Sequence, residues 1–236
     1  IMALPRIDTP TYQLKLPSTQ EIIEYRPFLM KEQKIIMMAQ ETGDDQQMVV
    51  AMQKLVTSCT FNKINIMNLP VYDVEYMFLK IRGKSVGESV EINLICPDDN
   101  ETQVPTKINL DEIEVQIDVN HNNVIDITDT IKMHMRDPMF SDATSVSGFA
   151  DNTEGLFKLL NKCIVKISYG DTEYQRSDIS DKDIEDFVDQ LSSEQFEQII
   201  NFFTTAPKLR HVVEVLNPKT KVKGEVLLEG LQSFLE

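Results

Sequence analysis

The residues best placed to do chemistry lie in one short stretch, Asp118 to Asp129 (DVNHNNVIDITD). Oxygen-bearing side chains stand at Asp118, Asn120, Asn122, Asp126 and Asp129, which are positions 1, 3, 5, 9 and 12 of a loop of calcium-binding length, with Ile125 at position 8. Calcium takes roughly six to eight oxygens, and this spacing offers such a ring. Position 6, however, is Asn123 where the sharp turn wants Gly, and Asp129 is shorter than the Glu that usually grips with both oxygens. The flanks also carry strand periodicity instead of helices. The competing reading is a turn whose Asn and Asp side chains bond their own backbone.

The other chemical signals are thinner. Gly83-Lys84-Ser85 has the end of a phosphate-binding loop, but Phe78 occupies the place of the required first glycine. The segment also leaves a helix instead of entering one, so a helix C-cap at Gly83 explains it. His121, His134 and His211 are scattered, without a HExxH or cysteine partner, and no GxSxG exists for a nucleophile elbow. Cys59, Cys96 and Cys163 are widely spaced and lack CxxC pairing, which reads as reduced thiols in a cytosol. No catalytic, cofactor-binding or metal-ligating residue is assigned, and no enzyme is expected.

Any such residue needs elements to position it, and the pattern of those elements is α+β. Tyr12–Leu16 and Ile22–Tyr25 flank the turn Pro17-Ser18-Thr19 as a hairpin. Pro27 opens a helix in its first turn, and that helix closes at Gly43. Asp44 and Asp45 cap the next, whose apolar stripe is Met48, Val49, Met52, Leu55, Val56 and Cys59. A third helix after Pro70 carries Tyr72, Tyr76 and Leu79 and stops by Gly83, and the Tyr72, Tyr76 and Phe78 neighbourhood holds candidates for core and anchor alike. Residues 90–96, 104–110 and 113–119 alternate as strands. Residues 137–155 are small, polar and aperiodic, and read as a loop or linker. Helices return at Leu156–Val165, Asp181–Gln190 and Ser193–Thr205, the last two capped by Ser180 and Ser192. A hairpin, Arg210–Leu216 and Gly224–Leu228, closes the chain. Helices are thus segregated from antiparallel strands and hairpins, in one large domain or two small ones. The expected division is 1–136, a linker at 137–155, and a helical region with the C-terminal hairpin at 156–236.

Composition narrows the partners. The chain has 236 residues and a net charge of −15, with 42% hydrophobic residues and no tryptophan. That is globular composition. The acidity disfavours phosphate backbones and anionic membrane surfaces, so neither nucleic acid nor membrane is expected as a partner. No window reaches a membrane span and no signal peptide is visible, while Met2-Ala3 resembles a native start. Residues 171–197 hold ten acidic side chains against Arg176 and Lys182, over half the surplus. A solvated helix face accounts for this, and a docking face for a basic partner is the alternative. Eleven methionines, with Met30, Met37, Met38, Met48 and Met52 gathered in the first two helices, serve either as core filler or as an adaptable contact surface.

Several strings taken together carry a resemblance: TPTY, YRPFLMKE, LPVYDVEYMFLKIR and KSVGE in the first 95 residues, with VLLEGLQSFLE at the end. They resemble the baseplate hub family of T-even-type bacteriophages, which comprises a hub subunit and a hub assembly catalyst. The resemblance implies a non-enzymatic structural subunit or chaperone-like assembly factor of a contractile tail. Its implied partners are other phage baseplate or hub proteins, with an oligomer among the options. It would be made in the host cytoplasm, and some members stay in the virion tail baseplate. Relatives carry CPxC-like knuckles where this chain has Ile95-Cys96-Pro97-Asp98-Asp99 and Leu216-Asn217-Pro218-Lys219-Thr220. Only Cys96 is present here, so no structural zinc and no cofactor is expected. The alternatives outside a virion are an acidic chaperone or adaptor for a basic partner, and a calcium-binding module using the 118–129 loop.

Overall fold

The computed structural model describes residues 7–145 and 153–234, so the expected start at Met2-Ala3 and residues 146–152 of the expected linker lie outside the described residues. In chain order the elements are β1 (Tyr12–Lys15), β2 (Ile22–Tyr25), α1 (Met30–Thr42), α2 (Asp45–Cys59), α3 (Val71–Val86), β3 (Ser89–Ile95), β4 (Gln103–Asn109) and β5 (Glu114–Gln116). Then follow β6 (Val124–Asp126), β7 (Ile131–Met135), α4 (Phe140–Ser145), α5 (Thr153–Cys163), β8 (Ile164–Tyr169) and β9 (Thr172–Gln175). The chain ends with α6 (Asp181–Val188), α7 (Ser193–Thr205), β10 (Lys208–Leu216) and β11 (Lys223–Glu229). Every strand pairing among the described residues is antiparallel, so the class is α+β. Among the described residues no helix is long and apolar enough to cross a membrane.

Two compact units divide the chain, and the division is not sequential. The first takes residues up to 66, 72–116 and 208 onward; the second takes 67–71 and 117–207. Thus the C-terminal hairpin, expected alongside the helices of 156–236, joins the first unit. Its β10 is the middle strand of a sheet ordered β11-β10-β5, where fully buried Leu209 lies opposite Val115. The part of 137–155 that is described is partly helical: α4 and the start of α5 fall inside it.

In the first unit, α1 turns into α2 at Gly43, whose φ of 63° is the left-handed conformation that glycine adopts without strain. Asp44 then caps α2 by accepting from the Gln46 N–H at 2.9 Å. Helix α3 is the central element, burying Val74, Met77, Phe78, Leu79 and Ile81. Three expectations need correction. Pro27 lies ahead of α1, which is capped at Leu29, because Glu32 reaches back to the Leu29 N–H and fixes the start there. Helix α3 does not stop at Gly83; it runs to Val86 and ends at Gly87, whose φ is 129° and whose N–H bonds the Gly83 carbonyl. The alternation at 113–119 yields a strand only over Glu114–Gln116, since β10 begins at Lys208 opposite Gln116; Ile117 and Val119 beyond it are 64% and 97% exposed.

The second unit is a four-stranded sheet ordered β6-β7-β8-β9. Met133 and Ile167 from the sheet, Leu160 from α5, Ile184 from α6 and Ile199 and Phe202 from α7 meet in one core. Ser180 and Ser192 cap α6 and α7 as expected, each in a reciprocal capping box with the residue three positions on.

Candidate functional site

The polar residues of the family-like strings form clasps inside the first unit. Arg26 donates to Glu32 Oε1 at 2.9 Å and to Ser58 Oγ at 3.0 Å, and Ser58 donates to the same Glu32 oxygen at 2.8 Å. Burial alone would raise the Glu32 carboxyl, but the Arg26 guanidinium, the Leu29 N–H and the Ser58 hydroxyl overcome it and hold its pKa at about 2. Asp73, fully buried on α3, accepts from the Ser18 N–H at 3.1 Å and from the Ser18 hydroxyl, tying the turn of the first hairpin to α3. Lys80 sends its ammonium to the carbonyls of Asp111 and Ile113 at 2.8 and 2.9 Å, satisfying a chain segment between β4 and β5. Burial pulls its pKa down, with Glu114 opposing.

The Gly83-Lys84-Ser85 group is part of this framework. Gly83 sits inside α3 with Leu110 packed against it, Lys84 pairs with Glu88 and with Asp111 at 2.9 Å, and the Ser85 hydroxyl accepts from the Phe28 N–H at 2.9 Å while donating to the Ile81 carbonyl. These side chains hold secondary structure together and do not form a phosphate cradle.

The two knuckle-like turns also meet in the first unit. Fully buried Asn217 donates through Nδ2 to Asp98 Oδ1 at 3.0 Å and to Asp99 Oδ2 at 2.8 Å, while its Oδ1 accepts from the Lys219 N–H at 2.9 Å. Thr220 donates its hydroxyl to Asp98. Thr220 and Asn217 hold the Asp98 carboxyl below its usual range. Pro97 packs so closely on Gly224 that a Cβ there would stand 2.5 Å from the Pro97 ring. An amide with two carboxylates thus joins the hairpin tips. Cys96 is buried beside them as a free thiol, as Cys59 and Cys163 are elsewhere, and burial pushes the latter two up to about 12.

In the second unit the 118–129 loop is bound up in its own turns. Asp118 Oδ1 accepts from the Asn120 N–H at 2.9 Å, Asn122 Oδ1 from the Val124 N–H at 3.0 Å, and Asp126 pairs with Lys132 at 3.0 Å. Asn120, Asn122 and Asp126 line a cleft with Glu194 and Glu197 of α7, and Asp118 and Asp129 are not part of that lining. His121 lies between Thr205 Oγ1, 3.1 Å from Nδ1, and Asp137 Oδ1, 3.4 Å from Nε2. The order Asp–His–Thr resembles a nucleophilic triad, but the Thr205 hydroxyl is buried and donates to the Asn201 carbonyl at 2.7 Å. The His121–Thr205 bond ties the loop to α7, while His121 Nε2 and Asp137 Oδ1 face each other, buried, without a hydrogen bond among the described residues. His134 bonds Ser168 across the β7–β8 pair, and His211 lies on β10. Among the described residues no group of three or more His, Cys, Asp or Glu side chains is placed to hold a metal ion.

The acidic segment 171–197 spans the turn into β9, α6 and the start of α7. Its two cations are unequal: Arg176 is taken up by Asn161 and Asp181, while Lys182 makes no ion pair with a described residue. Asp183 is held in its charged form by the hydroxyl and N–H of Ser180. Beside it runs an apolar groove of about 450 Å³, lined by Ile131, Ile167, Tyr169, Tyr174, Ile179 and Phe187 together with Asp183. Sequence reasoning found the acids and missed the groove. The available signal was the pair Tyr169 and Tyr174, aromatic residues standing in a polar, acidic stretch.

A family model described as T4 bacteriophage base plate protein matches residues 9–236. No curated protein and no solved structure matches the chain.

Proposed function

We propose, from the premise that the chain belongs to the T4 bacteriophage base plate protein family, that it is a non-enzymatic structural subunit or assembly factor of the contractile-tail baseplate hub. The observation that carries this reading is the extent of the match, which takes in both compact units, the clasped one and the acidic one. Its partners are other baseplate or hub proteins, met in the host cytoplasm during assembly. The work is physical. Surfaces held in one conformation before contact reduce the ordering that association requires, and complementary charge speeds correct encounters. The framework of the first unit supplies the rigidity.

A second reading within the family, a chaperone that covers a basic partner until it is built in, is favoured by the acidic surplus of residues 171–197. Mass spectrometry of tail intermediates and finished particles from infected cells separates a subunit from an assembly factor or chaperone. Presence in both marks a subunit, and presence in intermediates alone marks an assembly factor. Absence from both rejects the proposal.

A further inference from the structure

We propose that the open end of the second unit's core is a docking groove for an extended basic segment of another baseplate protein, which pairs along the edge of β9. This rests on the baseplate reading above and names the face used. Among the described residues β9 is the last strand of its sheet and all four of its residues are exposed, so one side of its backbone has no strand beside it and can take another. The register puts Ile131 opposite Tyr169 and Ile167 opposite Tyr174, which places the four on one face of the sheet. That face is the one the core uses: Ile167 belongs to the core, and Ile131 and Phe187 pack on it. Past α6 the cover ends, leaving Tyr169 and Tyr174 57% and 47% exposed. Tyrosine offers a large apolar ring with a polar tip, the combination enriched in contact surfaces.

Charge selects the occupant. Between Ile167 and Phe187 there are seven carboxylates; Asp181 is paired with Arg176 and Glu173 with Lys166, which leaves five against Lys182. A strand laid beside β9 sends alternate side chains to the two faces. One set enters the groove and must be apolar or aromatic. The other lies on the face that carries Glu173, already paired with Lys166, and its preference for Lys or Arg comes from the carboxylates that follow β9, Asp178 to Asp186. A second copy of this chain fits poorly: it brings −15, and its Lys219-to-Lys223 turn stands beside Asp98 and Asp99. The same acids that attract a basic segment therefore keep the edge from pairing with itself.

The chain contains no tryptophan, so a tryptophan in a probe peptide reports binding alone. The full chain is titrated with a synthetic peptide of about nine residues alternating Lys with Val and one Trp, a usual strand length being a little shorter. Controls are the same composition in block order and a version with Glu for Lys. Saturable binding is expected for the alternating basic peptide, at least fivefold weaker for the block order and at least tenfold weaker for the acidic one. Affinity should drop about tenfold between about 50 and about 300 mM salt. Tyr174→Ser and Asp186→Lys, both at exposed positions, should each weaken it at least fivefold with circular dichroism unchanged. No saturable binding, equal binding of the acidic peptide, or indifference to both substitutions overturns the proposal. So does self-association in the ultracentrifuge that Tyr174→Ser abolishes. In infected cells, a doubly substituted chain recovered with baseplate intermediates as well as the unsubstituted chain sinks the groove and leaves the baseplate reading intact. If the unsubstituted chain joins no intermediate, the baseplate reading itself fails and the proposed partner with it.

Discussion

Three segments of the first unit converge on one carboxylate, Glu32: Arg26 after β2, the Leu29 N–H at the start of α1, and Ser58 in the last turn of α2. Its side chain is 3% exposed, so water does little of the solvation. A folded pKa of about 2 against an ordinary 4.5 means the unfolded chain binds the extra proton between those values. Stability from this group is present above pH 4.5 and is lost as pH falls from there toward 2. Glu32→Gln should cost about 2–4 kcal/mol at neutral pH, because it also leaves Arg26 without its ion pair. Urea midpoints of the two proteins should converge on approaching pH 2, and parallel curves would reject the account. Asn217 is a second such residue. Asn217→Ala removes the donors that face Asp98 and Asp99 and should cost about 1–3 kcal/mol, with faster amide exchange at Lys219 and Thr220. Asn217→Asp should be worse by thermal melting, since a third carboxylate would meet the first two. The turns here were legible as turns. What joins them was not, because Asp98 and Asn217 are 119 residues apart in the chain.

Helix α7 shows what an element takes from local sequence and what it takes from elsewhere. Its N-cap, Ser192, accepts from the Gln195 N–H at 3.3 Å, and Gln195 returns a bond to the Ser192 N–H at 2.8 Å. Gln195 also donates through Nε2 to the Ile127 carbonyl at 2.9 Å, fastening the helix start just past β6. Ser192→Ala should therefore cost about 1 kcal/mol, the usual worth of a cap. Gln195→Ala should cost more, since it loses the box and the tie together, and chemical denaturation of both variants gives the ranking. The cap was readable because three consecutive peptide units decide it. The hairpins β1–β2 and β10–β11 were readable for the same reason, turn chemistry and period two being local. Gly83 was misread as a terminus because its role is set by Leu110, packed beside it from another element. The sheet of the second unit escaped because β6 has only three residues and β7 pairs with β8 through an irregular register at His134 and Met135. Its groove escaped with it: Tyr169 and Tyr174 share a face only once the register of β8 and β9 is known.

At the scale of the whole molecule most of the second unit, residues 117–207, is an insertion between two paired residues. Gln116 and Lys208 are antiparallel partners on β5 and β10, and the chain between them is residues 117–207. Partnered Cα atoms stand about 5 Å apart, so the first unit's backbone is nearly continuous across the gap. The insertion holds seventeen acidic residues against seven basic, a net of −10 out of −15, so the molecule keeps its framework and its charge in different units. Replacing 117–207 with Asn-Gly, the pair that closes a two-residue hairpin, should thus leave a foldable first unit of net charge −5. Its clasps, Arg26–Glu32–Ser58, Ser18–Asp73 and Asn217–Asp98, are all retained. One local loss is expected: the Val71 N–H and the Leu69 carbonyl bond Pro138 and Phe140, so α3 should fray at its first turn without them. Closing a two-residue turn in place of a long loop should also speed folding, since less chain entropy is lost before β5 and β10 pair. The spliced chain should melt in one cooperative transition with an ordered aromatic circular dichroism signal from its four remaining tyrosines, and should not shift the fluorescence of the basic probe peptide. A broad, non-cooperative melt would show that the first unit needs the insertion to fold, and retained peptide binding would place the docking face outside residues 117–207.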